Sequence, residues 1–140
     1  SSSTSDGYTP AMHAALTAAN RIAVDLTTFD YRKLDAFYAK LKAEGTATFG
    51  QNLVANRTTQ DELNKNLKVL SEGTVVASAA EPTSSTDAVT ILLFVDQRLR
   101  SLGAKSGLLS EVRIEMGMRN VGGHWLANTA TVKGAPNTAG

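Results

Sequence analysis

The sequence predicts an α+β domain in which N-terminal helices pack on a C-terminal antiparallel sheet of about four strands. Three observations predict it. Apolar residues recur at helical spacing as far as Gly73 and at a period of two from Thr74 onward. The apolar run Ile91-Leu92-Leu93-Phe94-Val95 is followed by the alternating Val112, Ile114, Met116 and Met118. Gly122-Gly123 then turns the chain into Trp125, as a tight hairpin loop does.

The first helix is expected from about Pro10 to Thr28. Thr9 offers a capping hydroxyl and Pro10 the fixed φ of a first turn, while Met12, Leu16, Ala19, Ile22, Ala23 and Leu26 return at helical spacing. Asp30 is placed to cap a second helix with Leu34, Phe37, Tyr38 and Leu41 on one face and Gly45 just beyond its end. Phe49, Leu53 and Val54 mark a third, weaker helix. Thr59 and Glu62 have the spacing of a capping box ahead of Leu63, Leu67 and Leu70. Strands are expected near Thr74 to Ala79, Ala88 to Arg100, Leu109 to Val121 and His124 to Val132.

A two-residue Gly122-Gly123 loop sets Asn120 opposite Trp125 and Met118 opposite Ala127. Trp125 then shares a face with Val112, Ile114, Met116 and Met118, under the helices. Glu111, Arg113, Glu115 and Arg119 fall on the wet face. The run from Ile91 to Val95 is apolar on both faces, which places it centrally or makes its outer residues, Leu92 and Phe94, a contact surface for a partner.

Composition narrows the function classes. At 140 residues, with 42% apolar and 19% charged content, the chain suits one domain with one core. We expect a flexible linker over residues 1–8, the domain over 9–132 and a tail over 133–140, since both ends are polar or rich in Gly, Ser and Pro. Fourteen Lys and Arg against thirteen Asp and Glu leave a net charge of +1, scattered along the chain, with no electrostatic footprint for nucleic acid. The absence of cysteine excludes disulfides and thiolate metal sites. The longest apolar run, Ile91–Val95, is far short of the roughly 20 residues that span a bilayer.

Chemical signatures are sparse. His13 and His124 are the sole histidines, and no zinc-protease, nucleophile-elbow or phosphate-loop pattern is present, Gly45, Gly50 and Gly122-Gly123 included. No metal or cofactor is implied. His124 lies at a turn, where a solvated histidine is the ordinary case. Asp25, Asp30 and Tyr31 form the best candidate for acid-base work, because a carboxylate beside a phenol at a pocket mouth can move a proton next to a carbonyl. Against this, Asp30 suits a helix cap and Tyr31 a wedge, so the pair reads first as a structural corner. Asp96-Gln97, at the polar end of an apolar strand, has the same two readings, ligand contact or solvated strand end.

The order helix, short corner, helix, further helix and long-stranded sheet is that of the nuclear-transport-factor-like (cystatin-type) cone. Ala14-Ala15-Leu16, Ala18-Ala19-Asn20-Arg21 and Asp25-Leu26-Thr27-Thr28-Phe29-Asp30-Tyr31, continued by Leu34-Asp35, resemble the front of the Mce-associated (mammalian-cell-entry-associated) membrane proteins of actinobacteria. Gly73-Thr74-Val75-Val76, Val95-Asp96-Gln97 and Gly123-His124-Trp125-Leu126 are similar to later landmarks of that group, over roughly residues 11 to 130. The resemblance implies a single-pass membrane protein with an N-terminal anchoring helix and an extracytoplasmic domain. It also implies a non-enzymatic accessory or scaffold role in a Mce lipid-import complex, with transporter subunits as partners. Two other readings stay open: a binder of a lipid or sterol in the cone, and an isomerase-like enzyme using Asp30 and Tyr31.

Overall fold

The computed structural model describes residues 7–133, which form four helices and a five-stranded antiparallel sheet. The elements are α1 (Pro10–Leu26), β1 (Phe29–Asp30), α2 (Leu34–Ala43), α3 (Ala47–Ala55), α4 (Arg57–Leu67), β2 (Leu70–Ala80), β3 (Ala88–Ser101), β4 (Ala104–Val121) and β5 (His124–Lys133). The strands lie in chain order as a meander, so β3 is the central strand. Of the expected linker and tail, residues 1–6 and 134–140 lie outside the described residues. At the margins, the Tyr8 hydroxyl accepts from the Ala80 N–H at 3.1 Å and Lys133 closes β5 with an ion pair to Glu115 at 2.7 Å.

Helix α1 starts as its sequence dictates. The Thr9 hydroxyl accepts from the Met12 N–H at 3.1 Å, and Pro10 occupies the first turn, where its missing N–H costs nothing. The face it buries is made of small residues, Ala15, Ala18, Ala19 and Ala23, with Ile22 as the one large side chain and Met12 at the start. Against it lie Val89, Ile91, Leu93 and Val95 of β3 and Ile114, Met116 and Met118 of β4, all essentially inaccessible. Alanine adds almost no bulk, so the helix backbone settles close into the trough of the sheet. Large residues on the strands then fill the space.

The sheet curls around α1 at two bulges. Val75 pairs with Val95 but Ala77 pairs with Phe94, leaving Val76 as the extra residue; Gly117 pairs with Thr129 but Met118 with Ala127, leaving Asn128 as the other. The second bulge turns Asn128 toward the helices, where its Oδ1 accepts from Thr46 Oγ1 at 2.8 Å, the residue that caps α3. Nearby, Thr46 and Glu44 exchange backbone hydrogen bonds with Ala127 at 2.9 and 3.0 Å, which stitches the α2–α3 corner to β5.

The hairpin parity holds: Asn120 pairs with Trp125 and Met118 with Ala127, and Trp125 packs against the core. Several expected boundaries do not hold. Strand β2 begins at Leu70, so the helical half ends at Leu67, and Gly73 lies within the strand. Thr59 sits inside α4, whose cap position is Asn56, so Thr59 and Glu62 form no capping box. The second helix is capped from position Lys33, three residues after Asp30, with no side-chain cap at all. The fifth strand, β1, is two residues long, too short to leave a period.

The early start of β2 has a physical cause. A Cβ on Gly73 would stand 1.8 Å from Thr27 Oγ1 at the end of α1, and that hydroxyl is fixed by donating to the Ala23 carbonyl at 2.8 Å. Glycine therefore permits contact that any side chain would block. Ser71 Oγ donates to the Thr27 carbonyl at 2.6 Å, and the Gly73 N–H donates to Thr28 Oγ1 at 3.1 Å. Gly73→Ala should lower stability by about 1–3 kcal/mol, the usual cost of overpacking, in a denaturant titration. Adding Thr27→Ala should recover part of that loss. Wild-type stability in Gly73→Ala would show that α1 does not need this approach.

Candidate functional site

Two concave regions flank the end of α1. The first is an open cleft of about 600 Å³ between α1, α2 and the start of β2, lined by Asp25, Phe29, Asp30, Lys40, Arg98 and Arg100 among others. The second is the mouth of the trough, about 480 Å³, where Leu26, Phe29, Phe37, Tyr38 and Leu53 face Val112, Ile114 and Val132. Polar groups enter that mouth from Thr27, Gln97, Asn52, Gln60 and Asn64. At its floor Gln97 Nε2 donates to Ser71 Oγ at 2.8 Å, and Ser71 passes its own proton to the Thr27 carbonyl. Gln97, at the strand end singled out from the sequence, is thus tied into the clamp that holds α1. Asp96 points to the opposite face of the sheet, beside Glu111.

Asp25, Asp30 and Tyr31 do not converge. Asp30 accepts from the Arg32 backbone N–H at 2.9 Å and from its guanidinium at 2.8 and 2.6 Å. Those hydrogen bonds hold its carboxyl down at about 2, so it stays ionised and is no general acid at neutral pH. Tyr31 points elsewhere: its N–H donates to the Val69 carbonyl, and the Arg32 guanidinium lies 5.5 Å from its ring centroid. Asp30 closes the turn between β1 and α2, which is a different role from the helix cap expected of it. Leu92 and Phe94 lie on the convex face of β3, with Phe94 45% exposed between Ala77 and Arg113. His124 is exposed at the β4–β5 turn.

Asp25 instead joins a cluster that sequence reading passes over. Lys40 Nζ of α2 lies 3.2 Å from Asp25 Oδ1, and Arg21 Nε of α1 lies 3.6 Å from Glu44 Oε2 at the end of α2. The two carboxylates meet across the α1–α2 seam, and Asp25 Oδ2 and Glu44 Oε1 are buried with no other hydrogen-bond partner. Burial first, then the hydrogen bond to Asp25 and its charge, push the Glu44 carboxyl up to about 7. A proton held between the two carboxyls satisfies atoms that would otherwise be orphaned. The sequence does carry a signal for it, in the four-residue spacings Arg21/Asp25 and Lys40/Glu44 on consecutive helices.

A second cationic junction holds α4, which buries none of its own residues. Arg57 pairs with Asp61 at 2.9 Å and with Asp35 of α2, and its guanidinium caps the Tyr38 ring at 4.1 Å from the centroid. Burial, followed by the charge of Asp61, raises the Tyr38 phenol above its ordinary range. Among the described residues no group of His, Asp and Glu could hold a metal ion, and no helix is long and apolar enough to cross a membrane.

Because Glu44 binds its proton more tightly folded than unfolded, the folded state holds more protons between pH 4.5 and about 7. Stability should therefore fall as pH rises through that window. Glu44→Gln keeps a donor toward Asp25 and should flatten the slope, melting about 4 °C above wild type at pH 8, the shift that roughly 1 kcal/mol makes in a domain of this size. Parallel pH profiles for the two proteins would refute the shared proton.

No family model and no curated protein matches this chain in sequence. Its fold is similar to solved structures. The periplasmic domain of DotI superposes with a TM-score of 0.74 at 12% identity, over 86% of this chain and 93% of that one. An IcmL-like type IV secretion system protein from Legionella pneumophila gives 0.73 at 8%, over 89% and 92%. CagV, a VirB8 homologue of the type IV secretion system of Helicobacter pylori, gives 0.65 at 8%, over 86% and 96%. None of these three is a Mce-associated protein, and at such identities they establish the architecture alone: α+β, helices laid on a curled five-stranded antiparallel sheet.

Proposed function

We propose that this chain is the extracytoplasmic scaffold domain of a single-pass membrane protein, a non-enzymatic part that holds the subunits of an envelope transport complex together. The observation that carries it is the fold shared over 86% of the chain with a periplasmic domain, that of DotI. The chemistry of the clefts agrees with it. The carboxylates that could have worked on a substrate are committed to Arg32, to Lys40 and to each other, and their partners hold helices in place.

The finer reading is that the complex is a Mce lipid importer. It is supported by the landmarks around Asp25, Asp30, Val95-Asp96-Gln97 and Gly123-His124-Trp125, which resemble the Mce-associated proteins. The partner surface in this reading is the convex face of β3. Phe94 and the bulged Val76 are 45% and 62% exposed there, with Leu92 partly buried beside them and Arg113 and Glu115 on the neighbouring strand. An apolar strip rimmed by both signs of charge is the usual form of a protein contact.

A second reading has one observation of its own. The trough mouth, about 480 Å³ and lined largely by Leu, Phe, Val and Ile, lies within the size range of small-molecule sites and would suit an acyl chain or sterol. Native mass spectrometry of the domain purified from its own cell envelope separates the two, since a lipid-binding domain carries a lipid mass.

Leu92→Glu with Phe94→Glu in the native full-length protein should cut recovery of transporter subunits roughly tenfold, as loss of interface anchors does, with the melting temperature of the isolated domain unchanged. Unchanged recovery would reject this surface. Capture of secretion subunits in place of lipid-importer subunits would replace the Mce assignment. Failure of the wild type to retain any transporter subunit would sink the scaffold reading.

A further inference from the structure

Strand β4 is longer than the strand beside it. It pairs with β3 from Ala104 to Arg119, but with β5 only from Arg113 onward. Residues Ala104–Val112 therefore have a strand on one side and none on the other, and among the described residues no other backbone hydrogen bond fills that side. Alternate N–H and C=O groups of such an edge point outward, ready to pair. This edge contains no proline, and Leu108 and Leu109 stand 62% and 56% exposed on its opposite faces. The other outer strand, β5, is partly covered by the bridge from Gly45 to Ala127.

We propose that this edge is a homotypic pairing site, at which Ala104–Val112 of two copies of the chain align antiparallel about a two-fold axis through Leu108. The segment is chemically self-complementary in that register. Lys105 falls opposite Glu111 twice, Ser106 opposite Ser110, Gly107 opposite Leu109, Ala104 opposite Val112, and Leu108 opposite itself. Centring the axis on Gly107 takes Lys105 away from Glu111, and centring it on Leu109 sets Lys105 against Arg113. Leu108 is the register in which opposite charges meet.

The convex face supplies an independent reason for that cation. Glu111 lies directly across from Asp96 of β3, and among the described residues neither makes an ion pair. Like charges in that position repel. The second copy's Lys105 would reach Glu111 from the side away from Asp96 and offset the repulsion. The lengths agree as well. The gap between the turn at Leu102-Gly103 and the end of β5 is Ala104–Val112, the same segment that would fill it. The product is one continuous sheet across two domains with both sets of helices on the same side, as a two-fold axis normal to the sheet requires.

The chain has no cysteine, so a single engineered thiol reports without background. Opposed residues on the axis have Cα atoms about 4.5–5.5 Å apart, inside disulfide range. In the 140-residue chain under mild oxidation, Leu108→Cys should form a covalent dimer about tenfold faster than Leu109→Cys or Val76→Cys at equal concentration, because only the first sits across from its own copy. Adding Lys105→Glu to Leu108→Cys should slow the reaction, and adding Glu111→Lys to both should restore it, with the melting temperature of the monomer unmoved throughout. Equal rates for the three thiol variants, as when residues after Lys133 cover the edge or a different partner occupies it, would overturn the pairing. A charge reversal that changes nothing, or a double reversal that fails to restore the rate, would overturn the register.

Discussion

The rest of the structure depends on how closely α1 sits in the trough of the sheet. Its buried face is almost entirely alanine, and its last turn meets a glycine where any Cβ would collide with Thr27. Given that approach, the strands must curl to stay in contact along the helix, and the bulges at Val76 and Asn128 provide the bend. The bulge at Asn128 then determines the next contact, because it aims the side chain that meets Thr46 and so fixes where α3 begins. Close packing, curvature and the position of the second helical layer are one chain of consequences.

That arrangement also decides where charge can go. With the trough filled by Ile, Leu, Met and Val, ionisable groups are left at the seams between elements: Asp25 and Glu44 between α1 and α2, Arg57 between α2 and α4. At a seam a carboxylate loses water but keeps access to a lysine or arginine on the rim, so its pairing adds alignment of two helices more than raw stability. Glu44 shows the difference between perturbed and catalytic. Its carboxyl is raised to about 7, a value a general base would have, but what faces it is Asp25 and Arg21. A shifted carboxyl whose neighbours are its own structural partners marks a junction.

How far the sequence could be read follows from the range of each interaction. The Thr9-Pro10 start, the helix-facing Trp125 and the central place of Ile91–Val95 all depend on contacts within a turn, a hairpin or one strand's own pattern, and these were legible. The start of β2 was not, because Gly73 reads as a breaker until Thr27 is known to press on it from a distant helix. Asp30 has the right residue type and nearly the right position for a cap, but Arg32 two residues on offers its carboxylate both a backbone and a guanidinium donor, and the local turn wins. Of the candidate site, Asp25 was legible as an isolated acid. Its partner Glu44 was not, since nothing short of the α1–α2 packing brings the two together.

A domain whose inner face is consumed by a helix has its outer surfaces left for function. The two outer strands of this sheet are treated differently. The two-residue β1 offers little to pair with, and β5 is stitched to the α2–α3 corner at Ala127. Only β4, an interior strand by topology, becomes an edge where β5 fails to cover it, and there the usual protections of an edge are weak: no proline and two exposed leucines. Lys105 and Glu111 are the charges on that stretch, and they are of opposite sign and equidistant from Leu108. Charges that merely blocked pairing would serve as well with one sign. An arrangement of opposite signs about a centre repels strands in other registers and accepts its own, which is how an edge that could aggregate is restricted to one partner.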